Sequence, residues 1–242
     1  MSARTLTIII GRKGSQGVAS KNTRELAGVP VASWTLEFVA NCALCDECVV
    51  STDCIRLSDL ARAQGLRVID RPAHLASPSA RVDDAVRDAV ARADTDGEFA
   101  NIAILYANVP IRPAGLLDRA ITHLNETGAD SVQSYAEVGK HHPLWTCVVD
   151  EHGAVRPWQG DELFGGVFRR QDLPPAHVPD GGVMVVTRAA LFGPCDGPHD
   201  FLGTHRAGIV TREGEVIDID SELDLHVAEA ILSNRERTEA GA

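Results

Sequence analysis

The sequence predicts an α/β fold with a mainly parallel sheet covered by helices. Three observations carry this expectation. Short β-branched apolar runs recur through the first half of the chain, stretches of helical periodicity separate them, and the runs are continuously apolar, as strands buried on both faces are. The 242 residues suffice for one sizeable domain and are too few for two independent ones of full size. Hydrophobic residues make up 44% of the chain and aromatics only 5%, so the core has to rest on Val, Ile, Leu and Ala.

The first strand is read over residues 6–10 and ends at Gly11, where a polar, glycine-punctuated loop runs to Asn22. Trp34 and Phe38 repeat at helical spacing within residues 33–39. A strand over 48–51 follows, then a helix over 55–64 stopped by Gly65, a strand over 66–69 and an amphipathic helix over 82–93. Residues 101–106 form another buried strand, 114–125 a helix and 131–135 a strand, which completes a repeated β-α pattern. From Lys140 to Pro179 the helical periodicity disappears and Pro, Gly, Trp and Arg accumulate; Asp150-Glu151-His152-Gly153 reads as a hairpin turn. This stretch is expected to be an arm inserted into the domain. Residues 182–186 return to a strand, 216–220 read as a last one, and Ser221-Glu222-Leu223-Asp224 has the spacing of a capping box opening a helix over 223–233.

The formal charge is −11, from 23 basic and 34 acidic residues, which is the wrong sign for a general nucleic-acid or anionic-membrane binder. No apolar run approaches the roughly 20 residues that span a bilayer. The N-terminus lacks the pattern of a secretory signal, and six cysteines in a chain of this length make no disulfide framework, so a cytoplasmic protein is expected. Cys42, Cys45 and Cys48 read as free thiols in a helix-to-strand connection, since no fourth ligand stands at a metal-site spacing.

Two constellations carry chemistry. Gly11-Arg12-Lys13-Gly14-Ser15-Gln16-Gly17, with Lys21-Asn22 beyond it, directly follows the first strand, and parallel sheets bind ligands at the carboxyl ends of their strands. Glycines let backbone N–H groups approach oxyanions, while Arg12, Lys13 and Lys21 supply charge that the protein otherwise lacks, so the loop points to phosphates. It matches neither the dinucleotide-binding nor the P-loop pattern. Asp218 and Asp220 fall two residues apart on an expected strand and so share a face, an arrangement suited to Mg²⁺ shared with substrate phosphates. Helix capping by Asp220 or Ser221 is the other reading of that segment. Arg71, after the 66–69 strand, is placed to reach the same site. In the arm, Arg169 or Arg170 can clamp a carboxylate, or form a solvated surface.

The loop from Gly11 to Val18 with Lys21-Asn22 resembles the A-R-x-G-S-K-G-[IL]…K-N signature of the acylneuraminate cytidylyltransferases. Further similar blocks follow in order: Val50-Ser51-Thr52-Asp53, Arg71-Pro72-Ala73-His74-Leu75, Pro110-Ile111-Arg112, His141-His142-Pro143-Leu144, Arg170-Gln171-Asp172-Leu173-Pro174 and Ile217-Asp218-Ile219-Asp220-Ser221-Glu222. The resemblance spans nearly the whole chain. It implies a Rossmann-like nucleotidyltransferase domain over 1–242, with 140–179 as an arm exchanging contacts in a homodimer. It also implies attack of a sugar's anomeric hydroxyl on the α-phosphorus of CTP, with Mg²⁺, giving a CMP-sugar and pyrophosphate. By resemblance, Arg12, Ser15 and Lys21 hold the triphosphate within the Gly11 and Gly14 loop, Asn22 and Arg71 contact the cytidine portion, and Asp218 and Asp220 hold the metal. Arg12, Lys21, Asp218 and Asp220 are then the catalytic set. Tyr106, Asn108, Trp145, Arg169, Arg170 and Asp180 fall on the acceptor side, where a sialic-acid-like keto acid sugar is expected. Nucleotide-side residues mostly match the family. On the acceptor side, Tyr106, Asp180, Met184 and Trp145 replace its glutamine, asparagine, tyrosine and lysine, which points to an acidic acceptor bearing an apolar or amino substituent. The lysine of the family's S-K-G is Gln16. The same residues leave open an octulosonate or phosphonate acceptor, or a silent nucleotide-binding paralogue.

Overall fold

The apolar runs assemble into one seven-stranded sheet. The computed structural model describes residues 3–14 and 17–240, without the side chains of 235–240. In chain order the elements are β1 (Thr5–Gly11), a two-stranded ribbon of β2 (Glu25–Leu26) and β3 (Val29–Pro30), α1 (Val31–Ala40), β4 (Glu47–Thr52), α2 (Ile55–Ala63), β5 (Arg67–Asp70), α3 (Val82–Ala93), β6 (Asn101–Tyr106), α4 (Leu116–Thr127) and β7 (Ser131–Glu137). A hairpin of β8 (Cys147–Val149) and β9 (Val155–Pro157) follows, then β10 (His177–Thr187), α5 (Arg188–Leu191), β11 (Arg206–Thr211) and α6 (Glu222–Ala240). The sheet order is β11-β7-β10-β6-β1-β4-β5. Only β10 runs against its neighbours, pairing antiparallel with both β6 and β7.

Alternation along β1 shows why its run is apolar throughout. Leu6, Ile8 and Ile10 pack with Val86, Ala89 and Val90 of α3, whereas Ile9 packs on the other face with Leu36 of α1, Leu57 of α2 and Leu117 of α4. Asp83 and Asp84 occupy the first turn of α3, where acidic residues favour the helix N-terminus. A third cluster joins Val18, Leu26, Val31 and Ile111 to Ile219, Leu225 and Ala228, which fastens α6 to the loop after β1.

The expected strand over 216–220 is not one. Ile217 forms a single antiparallel bridge with Ile111, and the Ile219 N–H donates to the Asn108 carbonyl at 2.9 Å. Its partner is the loop leaving β6, so no ladder can extend. The edge position belongs to β11, parallel to β7, whose open face and internal Gly208 weaken the alternation a strand shows in sequence. β10 begins at His177, inside the expected arm, and reaches Thr187 through an irregularity between Pro179 and Met184. The turn at Asp150–Gly153 forms as its composition requires, with Gly153 at φ +81° and its N–H donating to the Asp150 carbonyl at 3.0 Å. The capping box forms too: the Asp224 carboxylate accepts from the Ser221 N–H at 2.7 Å, and the Ser221 hydroxyl accepts from the Asp224 N–H at 3.4 Å.

One buried side chain ties the strand ends together. Arg112, 6% exposed, donates from Nε to the Gly182 carbonyl at 2.6 Å, from Nη1 to Thr35 Oγ1 at 3.0 Å and to the Val109 carbonyl, and from Nη2 to the Tyr106 carbonyl at 3.0 Å. Burial pushes its pKa down to about 9, against the pull of Asp218 and Asp180, so it remains charged at neutral pH. We expect Arg112→Met to destabilise the fold by about 3 kcal/mol or more, because it strands several buried acceptors, and Arg112→Lys to recover little of it, because an ammonium cannot reproduce the fork. Urea unfolding measures both; a loss below about 1 kcal/mol for the methionine variant would overturn the assignment.

Candidate active site

β1 delivers the chain to the carboxyl edge of the sheet at Gly11, where a side chain has no room: a Cβ would stand 2.6 Å from Leu57 Cδ2 and 3.0 Å from Ala107 Cβ. The loop beyond is held from three sides. The Lys13 N–H donates to Asp53 Oδ1 at 2.7 Å, and buried Asn22 donates from Nδ2 to the Arg12 carbonyl at 3.0 Å. Gly17 lies against the Asp220 backbone so closely that a Cβ would sit 2.0 Å from its carbonyl oxygen. Lys21 Nζ pairs with Asp220 Oδ1 at 2.7 Å, the lysine largely enclosed and the carboxylate 73% exposed. Arg71 reaches back to β4, donating from Nη2 to the Ser51 carbonyl at 2.8 Å and from Nε to Ser51 Oγ at 3.2 Å. Its burial lowers the guanidinium pKa, which Asp53 opposes and Arg12 reinforces. A cleft of about 290 Å³ lies between these groups, lined by Gly11, Arg12, Gly14, Lys21, Asn22 and Arg71 together with Tyr106, Asn108 and Asp220. The nucleotide-side residues expected from sequence therefore converge on one cleft, except Ser15, which with Gln16 lies outside the described residues. Asn22 serves the loop through its amide nitrogen, while its Oδ1 is buried without a partner.

A second cleft of about 570 Å³ adjoins the first and runs down the face of β6, β10 and β7. Tyr106 and Val82 line both. Asp218 stands at this junction, held by Asn108, whose Nδ2 donates to Asp218 Oδ1 and to the Ile219 carbonyl at 3.2 Å. Burial, reinforced by nearby Asp220, raises the Asp218 pKa from 3.8 to about 6, with Lys21 and Arg112 opposing. Burial beside Asp218 likewise raises Tyr106. Asp218 and Asp220 act in the same region, although each faces a different cleft and no strand sets their spacing.

The acceptor-side expectations need correction. Asp180 turns inward: Oδ1 accepts from Ser134 Oγ and from the Gly182 N–H at 2.9 Å, and Oδ2 accepts from Thr211 Oγ1 at 2.5 Å. It fixes the β10 irregularity and offers no free oxygen to an amine. Trp145 donates from Nε1 to the Val167 carbonyl at 2.8 Å, inside the arm. Arg169 and Arg170 are exposed there and pair with Asp172 at 3.5 Å and Glu213 at 3.3 Å. None of the three lines either cleft of its own chain. The second cleft is lined instead by Arg81, Gln133, Tyr135, Met184, Phe201, Leu202 and Arg206 among others. Gln133 and Tyr135 carry the one available sequence signal, polar positions alternating with inward Val132 and Ser134 along β7. A cavity of about 600 Å³ between α1 and residues 110–118 lies apart from both clefts. Near it the Cys42 thiol donates to Asp118 Oδ1 at 3.2 Å, its pKa pushed up to about 12 by burial and that carboxylate.

A family model described as cytidylyltransferase matches residues 6–177, which hold the loop after β1 and the elements from β1 to β9. The chain belongs to the cytidylyltransferase family. Among curated cytidylyltransferase relatives, the N-acylneuraminate cytidylyltransferase of Streptococcus agalactiae is 28% identical over 75% of this chain, which covers only 43% of that relative's length. The CMP-N,N'-diacetyllegionaminic acid synthase of Legionella pneumophila is 27% identical over 95% of this chain and 96% of its own. A solved CMP:2-keto-3-deoxy-manno-octonic acid synthetase complexed with CTP superposes with a TM-score of 0.70 at 14% identity, covering 96% of this chain and all of that one, so it shares the fold. Among the described residues no helix is long and apolar enough to cross a membrane.

In this member of the family the donors at the junction suit a hard cation. They are carboxylate oxygens, and Asp218 is raised chiefly by burial and then by Asp220, so its ionised form lacks solvation that a cation would replace. Two such ligands leave most of a Mg²⁺ shell to phosphate oxygens and water, and no group of three acidic, His or Cys ligands is found among the described residues. A carboxyl whose pKa is raised by folding costs stability once ionised. That cost develops as pH climbs from 3.8 to about 6 and is complete above. Without metal or nucleotide, Asp218→Asn should therefore melt at a higher temperature than the parent at pH 7 and at the same temperature near pH 3.5. A lower melting temperature at pH 7 would show the ionised carboxylate to be stabilising.

Proposed function

We propose that the protein transfers CMP from CTP to the hydroxyl of an acidic sugar of the sialic or legionaminic kind. A bond forms between that hydroxyl oxygen and the α-phosphorus, the α–β bridging bond breaks, and pyrophosphate leaves while the hydroxyl proton passes to solvent or a carboxylate. The observation that carries the reading is the meeting of two clefts at Tyr106 and Val82, one lined by glycines and cations, the other by β-sheet side chains. Phosphoryl transfer needs mainly positioning and charge neutralisation. Arg12 and Lys21 face the phosphates in a protein of net charge −11, Gly11 and Gly14 let the backbone approach them, and Arg71 closes the nucleoside end. Asp218 and Asp220 would hold Mg²⁺, which would add positive charge at the phosphate oxygens. Met184, Phe201 and Leu202 give the acceptor cleft an apolar wall, which supports an acceptor with acylamino or other apolar substituents. The relatives named for N-acylneuraminate and diacetyllegionaminate support the same class.

The arm supports a homodimer in the cytoplasm, where CTP is made. Phe168 is 90% exposed and Trp158 65%, apolar surface that a second copy would cover, and Trp145, Arg169 and Arg170 would then serve at the partner's cleft. Pyrophosphate release tests the reaction. With Mg²⁺, CTP and a panel of nonulosonic acids, turnover is expected with CTP and not with ATP or GTP, and Lys21→Ala should lower kcat/KM about 10²- to 10³-fold, the scale of losing one placed donor. Absence of pyrophosphate with every pairing, or equal use of the nucleotides, would overturn the reading.

A further inference from the structure

One pocket stands outside both clefts and against the loop that serves the first of them. It has a volume of about 150 Å³ and lies between that loop and the start of α2. Its walls hold three cations, Arg12, Lys13 and Arg56, and no acidic residue. Among the described residues none of these three side chains pairs with a carboxylate or donates a hydrogen bond. That is unusual in a protein of net charge −11, and the other cations of the adjoining cleft are spent: Lys21 pairs with Asp220, and Arg71 donates to Ser51. Asp53 precedes the pocket residue Cys54, but its Oδ1 is taken by the Lys13 N–H at 2.7 Å.

The stability of α2 does not account for this placement. Arg56 stands in the first turn of the helix, where the dipole disfavours a cation, and that turn has neither an acidic residue nor a side-chain cap. Its orphan N–H groups favour an oxyanion, as the three cations do. Asn22, 6% exposed, stands in the wall between cleft and pocket and lines both, and its Oδ1 has no partner among the described residues. Pockets for drug-sized ligands begin at about 300 Å³, so the occupant is a small ion rather than a second nucleotide. Pyrophosphate meets each condition. It is small and multiply charged, and near neutral pH it keeps a proton, the donor that Asn22 lacks.

We propose that this pocket is an oxyanion subsite for inorganic pyrophosphate, formed by Arg12, Lys13, Arg56 and the first turn of α2, through which the leaving group of the proposed reaction departs. Arg12 lines cleft and pocket alike, so an anion passing from one to the other keeps a cation beside it. The role as an exit rests on the proposed reaction, whereas the capacity to bind pyrophosphate does not.

Calorimetric titration of inorganic pyrophosphate into the full chain, saturated with CTP and without Mg²⁺ or acceptor, reads the pocket while the cleft is filled. Pyrophosphate is expected to bind, and Arg56→Gln to weaken it about tenfold, the scale of one charged hydrogen bond. Arg56 is exposed, so the variant's melting temperature should match the parent's. In turnover, followed as CMP-sugar formation, added pyrophosphate is expected to inhibit the parent even at saturating CTP. In Arg56→Gln only inhibition that CTP overcomes should remain, with the KM for CTP unchanged. Inorganic phosphate, titrated in parallel, is expected to bind more weakly, and phosphate binding as tight as pyrophosphate binding overturns the assignment to the leaving group. No pyrophosphate binding once CTP is bound, or equal affinity in Arg56→Gln, overturns the subsite itself. Arg56-dependent pyrophosphate binding in a chain that makes no CMP-sugar from any nonulosonic acid supports the subsite and overturns the proposed reaction instead.

Discussion

The site depends on one pairing between distant parts of the chain. Asn108, just past the end of β6, accepts from the Ile219 N–H and donates to the Ile219 carbonyl and to Asp218. The 216–220 segment is otherwise placed by a single bridge to Ile111, by the Lys21–Asp220 pair and by the burial of Ile219. With Asn108 in place, two carboxylates reach the carboxyl edge of the sheet, one at each cleft. Ile219 is fully buried between them, so packing fixes the backbone and leaves the flanking aspartates facing outward. An amide, a buried isoleucine and a loop do what a strand was expected to do.

Charge is distributed so that an acidic protein can still hold a polyanion. Lys21 is paired with Asp220, and the Lys13 backbone is fastened to Asp53, so two carboxylates stand beside the cations of the loop. A surface pair of this kind is worth little to the fold. Its value lies in keeping the lysine enclosed and near its place. Deeper in the molecule Arg112 does the opposite work, spending its donors on carbonyls and leaving its charge to offset Asp218 and Asp180. Cations at the surface thus wait for a ligand, whereas the buried one serves the scaffold.

Much of this was legible in the sequence, and the failures have physical causes. The β-α alternation from Thr5 to Glu137 could be read because doubly covered strands are apolar throughout, and the Gly11 loop because glycine, lysine and arginine after a buried strand leave few other readings. The carboxylates were found for a partly wrong reason: the pattern at 217–220 alternates as a strand does, but its partner is a loop. β11 was missed because one of its faces is open and its apolar stripe is only Ala207 and Ile209. Asp180 looked like an acceptor contact because sequence cannot show that Ser134 and Thr211 already claim its oxygens.

The contact between Gly17 and the Asp220 carbonyl also orders events in time. A growing chain completes all seven strands of its sheet by Thr211. The loop after β1 nevertheless lacks its backing until the 217–240 segment has left the ribosome and α6 has docked on Val18 and Leu26. A nascent chain therefore owns a nearly finished sheet and an unfinished phosphate loop. Any nucleotide site built on that loop is therefore completed only when α6 docks.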